Sequence, residues 1–167
     1  MPYRIMVFNQ KQLGQFSKAE LLTVIKGANF PTLCRQYGLE IALIEPALAH
    51  LAVEKAGGDQ APYFLLRYQP NGQPPIIVTE WNRDEIFHHQ RLKGFDRQVA
   101  FPSLQNYFSR TQAVYSVALV LSQLSDLGLL LAYELARWAA HQGEGIVLGL
   151  DGMWYRLNAY QAFIPIK

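Results

Sequence analysis

The chain has 167 residues, half of them apolar and 17% charged, against a usual charged share of about 25%. That balance excludes a disordered chain, which is poor in apolar groups and rich in charge, and it excludes a long coiled coil. A chain of this length buries about 70% of its unfolded surface, so its core needs no metal or disulfide staple. Lys and Arg total 15 against 13 Asp and Glu, a net charge of +2, and the single cysteine, Cys34, excludes an internal disulfide and a cysteine–zinc cluster.

Tyr3 to Phe8 reads as a first strand, with Ile5, Met6, Val7 and Phe8 packed together. Ser17-Lys-Ala-Glu20 is a capping box, in which the serine oxygen accepts from the third helical N–H and the glutamate reaches back. Leu21, Leu22, Val24 and Ile25 give the helix an apolar side, and Gly27 and Asn29 end it. Pro31 suits the first turn of a second short helix and Gly38 its end. Residues 39–47 stay ambiguous, because Pro46 disfavours helical backbone at Glu45. Leu48 to Lys55 reads as strand and Gly57 to Gln60 as a loop. Tyr63 to Tyr68 and Ile76 to Trp81 pair across a turn at Asn71-Gly72, whose residues supply left-handed backbone.

Asn82 to Arg110 is the least regular stretch. It holds one helix through Arg91, stopped at Lys93-Gly94, and a second that starts at Pro102 and runs through Tyr107 and Phe108. Thr111 to Leu121 reads as a long strand. A helix follows from Gln123 to Gln142, capped by Ser122 or Ser125 and stopped by Gly143. Leu124, Leu127, Leu131, Leu135 and Trp138 recur in it at helical spacing. Asp151-Gly152, between Gly145–Leu148 and Trp154–Leu157, is the strongest hairpin signal of the chain.

Together these elements predict a single α+β domain over residues 1–167, a mostly antiparallel sheet with helices packed on one face. Halves of about 1–81 and 111–167, each a strand–helix–strand–strand unit, would be joined by an irregular connector, 82–110.

The chemistry-bearing patterns are sparse. Arg83, Arg91, Lys93, Arg97 and Arg110 share their stretch with Asp84, Glu85 and Asp96, a solvated face rather than a nucleic-acid groove. Glu85-Ile-Phe-His88-His89 has the Glu-x-x-His spacing of carboxylate-bridged di-metal sites. Such sites need a second copy and further carboxylates, so no metal and no cofactor are expected. Gly57-Gly58 lacks the lysine and the strand-to-helix setting of a phosphate loop. Cys34 reads as a small buried residue, since a catalytic thiolate needs a neighbouring base. Glu134, Arg137 and His141 fall on one side of the long helix, either a polar strip for a partner or a solvent face. The apolar run Ala113–Ala140 is broken by Ser, Gln, Asp, Glu and Arg, so no membrane span is expected. With no signal peptide in Met1-Pro-Tyr-Arg-Ile-Met, a cytoplasmic protein is the simplest expectation.

The stretch Leu127-Gly-Leu-Leu-Leu-Ala-Tyr-Glu-Leu-Ala-Arg-Trp-Ala-Ala-His-Gln-Gly-Glu-Gly-Ile-Val, followed by Asp151-Gly-Met-Trp154-Tyr155, resembles the close of small bacterial α+β families, toxin-neutralising immunity proteins among them. The order of elements is also similar to gyrase-inhibitor-like ligand-binding domains, in which two strand–helix–strand–strand units surround a cleft. Their acidic pocket residue has no counterpart here, and neither resemblance carries a functional residue over. Two expectations follow. The first is a non-catalytic protein-binding module, an inhibitor, immunity-type protein or accessory subunit, whose partner is another protein; self-association stays open. The second is a small-molecule-binding domain that uses a cleft between the two halves. The candidate contact residues are Tyr63, Arg67, Trp81, Glu134, Arg137 and Trp154, since interfaces favour Trp, Tyr and Arg.

Overall fold

The computed structural model describes residues 3–13, 17–28, 30–37, 44–58, 63–68, 74–82, 102–124 and 127–166. The elements are β1 (Tyr3–Asn9), α1 (Lys18–Lys26), α2 (Phe30–Tyr37), α3 (Ile44–Ala49), β2 (Ala52–Ala56), β3 (Tyr63–Arg67), β4 (Ile76–Asn82) and α4 (Pro102–Arg110). They continue with β5 (Ala113–Leu119), a 3-10 turn (Leu121–Gln123), α5 (Leu127–Gly143), β6 (Ile146–Leu148), β7 (Trp154–Leu157) and β8 (Phe163–Pro165). The strands form an open antiparallel sheet in the order β2-β3-β4-β5-β1-β6-β7-β8, with helices packed against it. This is the α+β class the sequence predicts. Among the described residues, the second half has three strands after its long helix, β8 adding to the two the sequence predicts. The halves are also not equivalent. The last strand of the first meander, β4, borders the central pair β5-β1 on one side, and the first strand of the second, β6, borders it on the other.

The chain gathers into two compact units that interleave in sequence. The first takes 1–4, 15–79 and 117–135; the second takes 5–14, 80–116 and 136–167.

In the first unit, α1 begins with the serine half of the expected capping box: the Ser17 hydroxyl accepts from the Glu20 N–H at 3.2 Å. Leu21 and Ile25 of α1 are buried, as are Leu33 and Cys34 of α2. The structure resolves the ambiguity around Pro46 by starting α3 at Ile44. Proline then falls in the first turn, where its missing N–H has no helical acceptor to lose. The strand expected from Leu48 begins later, at Ala52. Gln123, expected to open the long helix, closes the 3-10 turn instead, at 1% exposure. Its Oε1 accepts from the Val120 N–H at 2.8 Å and its Nε2 donates to the Pro74 carbonyl at 2.7 Å. The turn at Asn71-Gly72, the helix proposed through Arg91 and the Ser125 cap lie outside the described residues.

The second unit is organised by β1, which pairs with β6 through Met6↔Leu148, Val7↔Val147 and Phe8↔Ile146. Met6 and Phe8 pack on Leu104 and Phe108 of α4. The neighbouring Asn9, which a strand directs to the opposite face, donates from Nδ2 to the Ala139 carbonyl of α5 at 3.0 Å. Around β1, then, α4 packs against Met6 and Phe8 while the last turns of α5 meet Asn9.

Helix α5 ends in a Schellman motif. Glu144 takes the left-handed conformation, φ 52°, and the Gly145 N–H donates to the Ala140 carbonyl at 2.9 Å. The expected stop, Gly143, is the last helical residue, and its value is its bare Cα. A Cβ there would lie 2.3 Å from Asn9 Cγ and Nδ2, and one on Gly145 would lie 2.0 Å from Asn9 Oδ1 and 2.8 Å from the Phe8 carbonyl oxygen. The Gly143 carbonyl accepts from the N–H groups of Gln10 and Lys11, at 3.0 and 3.1 Å.

The hairpin around Asp151-Gly152 forms, with Leu148 opposite Trp154. It is not the two-residue turn that the dipeptide suggests. Only Gly152 has positive φ, 78°, and the Gly149 N–H reaches the Met153 carbonyl while the Gly152 N–H reaches that of Gly149. That makes a three-residue loop with its left-handed residue last. The β7–β8 connection repeats this arrangement. The Asn158 N–H reaches the Ala162 carbonyl, the Gln161 N–H reaches that of Asn158, and Gln161 holds φ 60°. Asn158 Oδ1 also accepts from the N–H groups of Tyr160 and Ala162.

Two predictions follow from these close contacts and loops. Gly143→Ala should lose about 1–3 kcal/mol by overpacking. Combined with Asn9→Gly in a double-mutant cycle by urea denaturation, it should lose at least about 1 kcal/mol less than the sum of the single losses. In the matched loops, Gly152→Ala should destabilise by about 1 kcal/mol and Gln161→Gly should stabilise by about 0.5 kcal/mol, because left-handed backbone is costly for any residue with a Cβ. Thermal unfolding of the two variants reads both signs.

Candidate functional site

Strand alternation and register assemble one surface in the first unit. In the β2–β3–β4 meander, Val53, Phe64, Leu66, Ile76 and Val78 are buried. The alternate residues form the other face. There Leu65 lies opposite Ile77, Tyr63 opposite Thr79 and Ala52 opposite Arg67. Tyr63 and Ile77 are 36% and 37% exposed, and Leu65, Arg67 and Thr79 are half-buried. Arg67 Nε reaches Glu54 Oε1 on the neighbouring strand at 3.2 Å. Both side chains are well exposed, so the pair orients the guanidinium more than it stabilises the fold, contributing at most about 1 kcal/mol. Two of the residues singled out from sequence, Tyr63 and Arg67, thus share this face. Leu65 and Ile77, which complete it, were not singled out. The alternation of Tyr63-x-Leu65-x-Arg67 carried the signal, but which parity faces outward depends on what covers the sheet.

Trp81 and Trp154 border one core cluster of the second unit. With Tyr107 they are half-buried against a core of Met6, Phe8, Leu104, Phe108, Val114 and Ile146. The Phe8 ring centroid is 5.2 Å from that of Phe108 and 5.2 Å from that of Trp154, and Phe108 and Trp154 are 5.4 Å apart at 85°. The two edge-to-face pairs, Phe8–Phe108 and Phe108–Trp154, each add about 0.5–1.5 kcal/mol beyond burial. Trp154 is therefore first a packing residue with one edge left open.

Glu134 and Arg137 are three residues apart on α5. Glu134 is buried, Arg137 is half-buried and His141 is exposed. A solvent strip through all three is excluded, because burial extends around much of α5, including Leu130, Leu131, Ala132, Leu135, Ala136, Ala139 and Ala140. A carboxylate at 4% exposure needs a polar partner to stay charged, and neither Glu134 nor Arg137 is without an interaction.

A polar pair that the sequence did not reveal lies in the second unit. The hydroxyl of Tyr115, itself 1% exposed, donates to Glu80 Oε2 from the neighbouring strand β4. Burial, then the hydrogen bond to Glu80 and its charge, push the Tyr115 phenol far above the ordinary tyrosine value, against a lowering by a backbone hydrogen bond at Leu13. The group is thus a neutral donor that holds the carboxylate in place. A second phenol–carboxylate pair joins Tyr155 to Asp151, which also accepts from the Met153 N–H.

Cys34 is buried at 1% exposure. Among the described residues, no group of three or more His, Cys, Asp or Glu side chains could hold a metal ion, and no helix is long and apolar enough to cross a membrane. Glu85, His88 and His89, with most of the basic stretch, lie outside the described residues. Comparison of the chain with protein-family models, with curated proteins and with solved structures finds no match in any of the three.

The Tyr115 shift predicts an alkaline effect of definite sign. A folded-state value above the unfolded value of about 10 means that the unfolded chain releases this proton first. Its contribution to stability is complete below about pH 10 and is lost as pH rises beyond it. Tyr115→Phe should therefore lower stability at neutral pH, while its unfolding free energy should fall less steeply than that of the unsubstituted protein between about pH 9.5 and 11. Urea denaturation across that range reads the difference in slope.

Proposed function

We propose that this protein is a non-catalytic protein-binding module that docks another protein on the outer face of the β2–β3–β4 meander. The observation that carries this reading is the pairing of Leu65 with Ile77 beside Tyr63 and Arg67, on a sheet whose other face is buried. Tyr63 and Ile77 remain more than a third exposed on strands fixed by that buried side. A tyrosine and an arginine next to aliphatic contacts is the composition that dominates protein–protein binding energy. An inhibitor, an immunity-type protein and an accessory subunit all belong to this class. The resemblance of Leu127–Tyr155 to small bacterial families and the lone cysteine support a bacterial cytoplasmic setting.

A second reading, binding of a small molecule, is favoured by one observation: Trp81 and Trp154, from opposite halves of the sequence, both border the Phe8–Phe108 core with an edge open to solvent. An apolar or planar ligand would lie against these rings.

Two experiments separate the readings. Crosslinking pull-down from the native host should recover a partner with the unsubstituted protein and lose it with Tyr63→Glu/Ile77→Glu, whose melting temperature should change little because both side chains are exposed. Tyr63→Ala alone should weaken binding about 10-fold or more. Recovery of the protein alone, or of the same partner with the double variant, overturns the docking reading. For the second reading, a metabolite extract should quench tryptophan fluorescence saturably, with less quenching in Trp81→Phe; a flat titration removes it.

A further inference from the structure

We draw no further inference here: the strongest candidate, the exposed Tyr63–Leu65–Ile77 face of the β2–β3–β4 meander, belongs to the site already described, and nothing in the structure shows what covers it.

Discussion

The amide of Asn9 sits where β1 meets the end of α5, at 0% exposure, in a space that exists because residues 143 and 145 have no side chains. One atom of that amide, Nδ2, ties the strand to the Ala139 carbonyl, while Oδ1 has no hydrogen-bond partner among the described residues. An unpaired buried acceptor costs about 1–3 kcal/mol. What offsets it is local and polar. The Gly143 carbonyl, which a free helix end would leave to water, takes two N–H groups from the chain leaving β1. Lys11 and Glu144 add an exposed ion pair at 2.8 Å. Strand β1 lies in the middle of the sheet order, and its residues Ile5–Asn9 are buried. The position of this one strand against α5 therefore fixes β6 beside it, and through β6 the two hairpins that follow.

Buried polar groups elsewhere follow the same logic within each unit. Gln123 joins Val120 to Pro74, and Tyr115 joins β5 to Glu80. Each bridges segments distant in sequence, and each satisfies backbone or carboxylate groups that would otherwise be costly to enclose. Apolar contact alone tolerates small slips in register; a directional bond to one carbonyl or one carboxylate does not. These contacts fix β4, the strand that carries Ile77 and Trp81, at its entry and within its length.

The edges of the sheet are poor sites for a further strand. Strand β2, at one end, carries exposed Glu54 and Lys55 on successive residues, so both of its sides present charge. Strand β8, at the other end, is three residues long and closes on Pro165. Charge, short length and proline all oppose the addition of a further strand. The docking proposed above therefore uses the outer side chains of the meander rather than a sheet edge.

Much of this architecture is local, and the sequence determined it. A continuous apolar run placed β1, apolar runs on either side of Asn71-Gly72 placed β3 and β4, the Ser17–Glu20 pair placed α1, and Asp151-Gly152 placed the β6–β7 hairpin, because capping, turn chemistry and short apolar runs depend on neighbours a few residues apart. Tyr63, Arg67, Trp81 and Trp154 were legible as candidates by residue type alone. Tertiary structure decided which of them share a surface, since that depends on strand register and on which face the helices cover. It also decided that Pro46 lies in the first turn of a helix, that Glu134 is enclosed and that Gly143, the last residue of α5, leaves room for the Asn9 side chain. In each of these cases the deciding contact comes from distant chain or from the site of helix initiation, and no pattern within a short window encodes it.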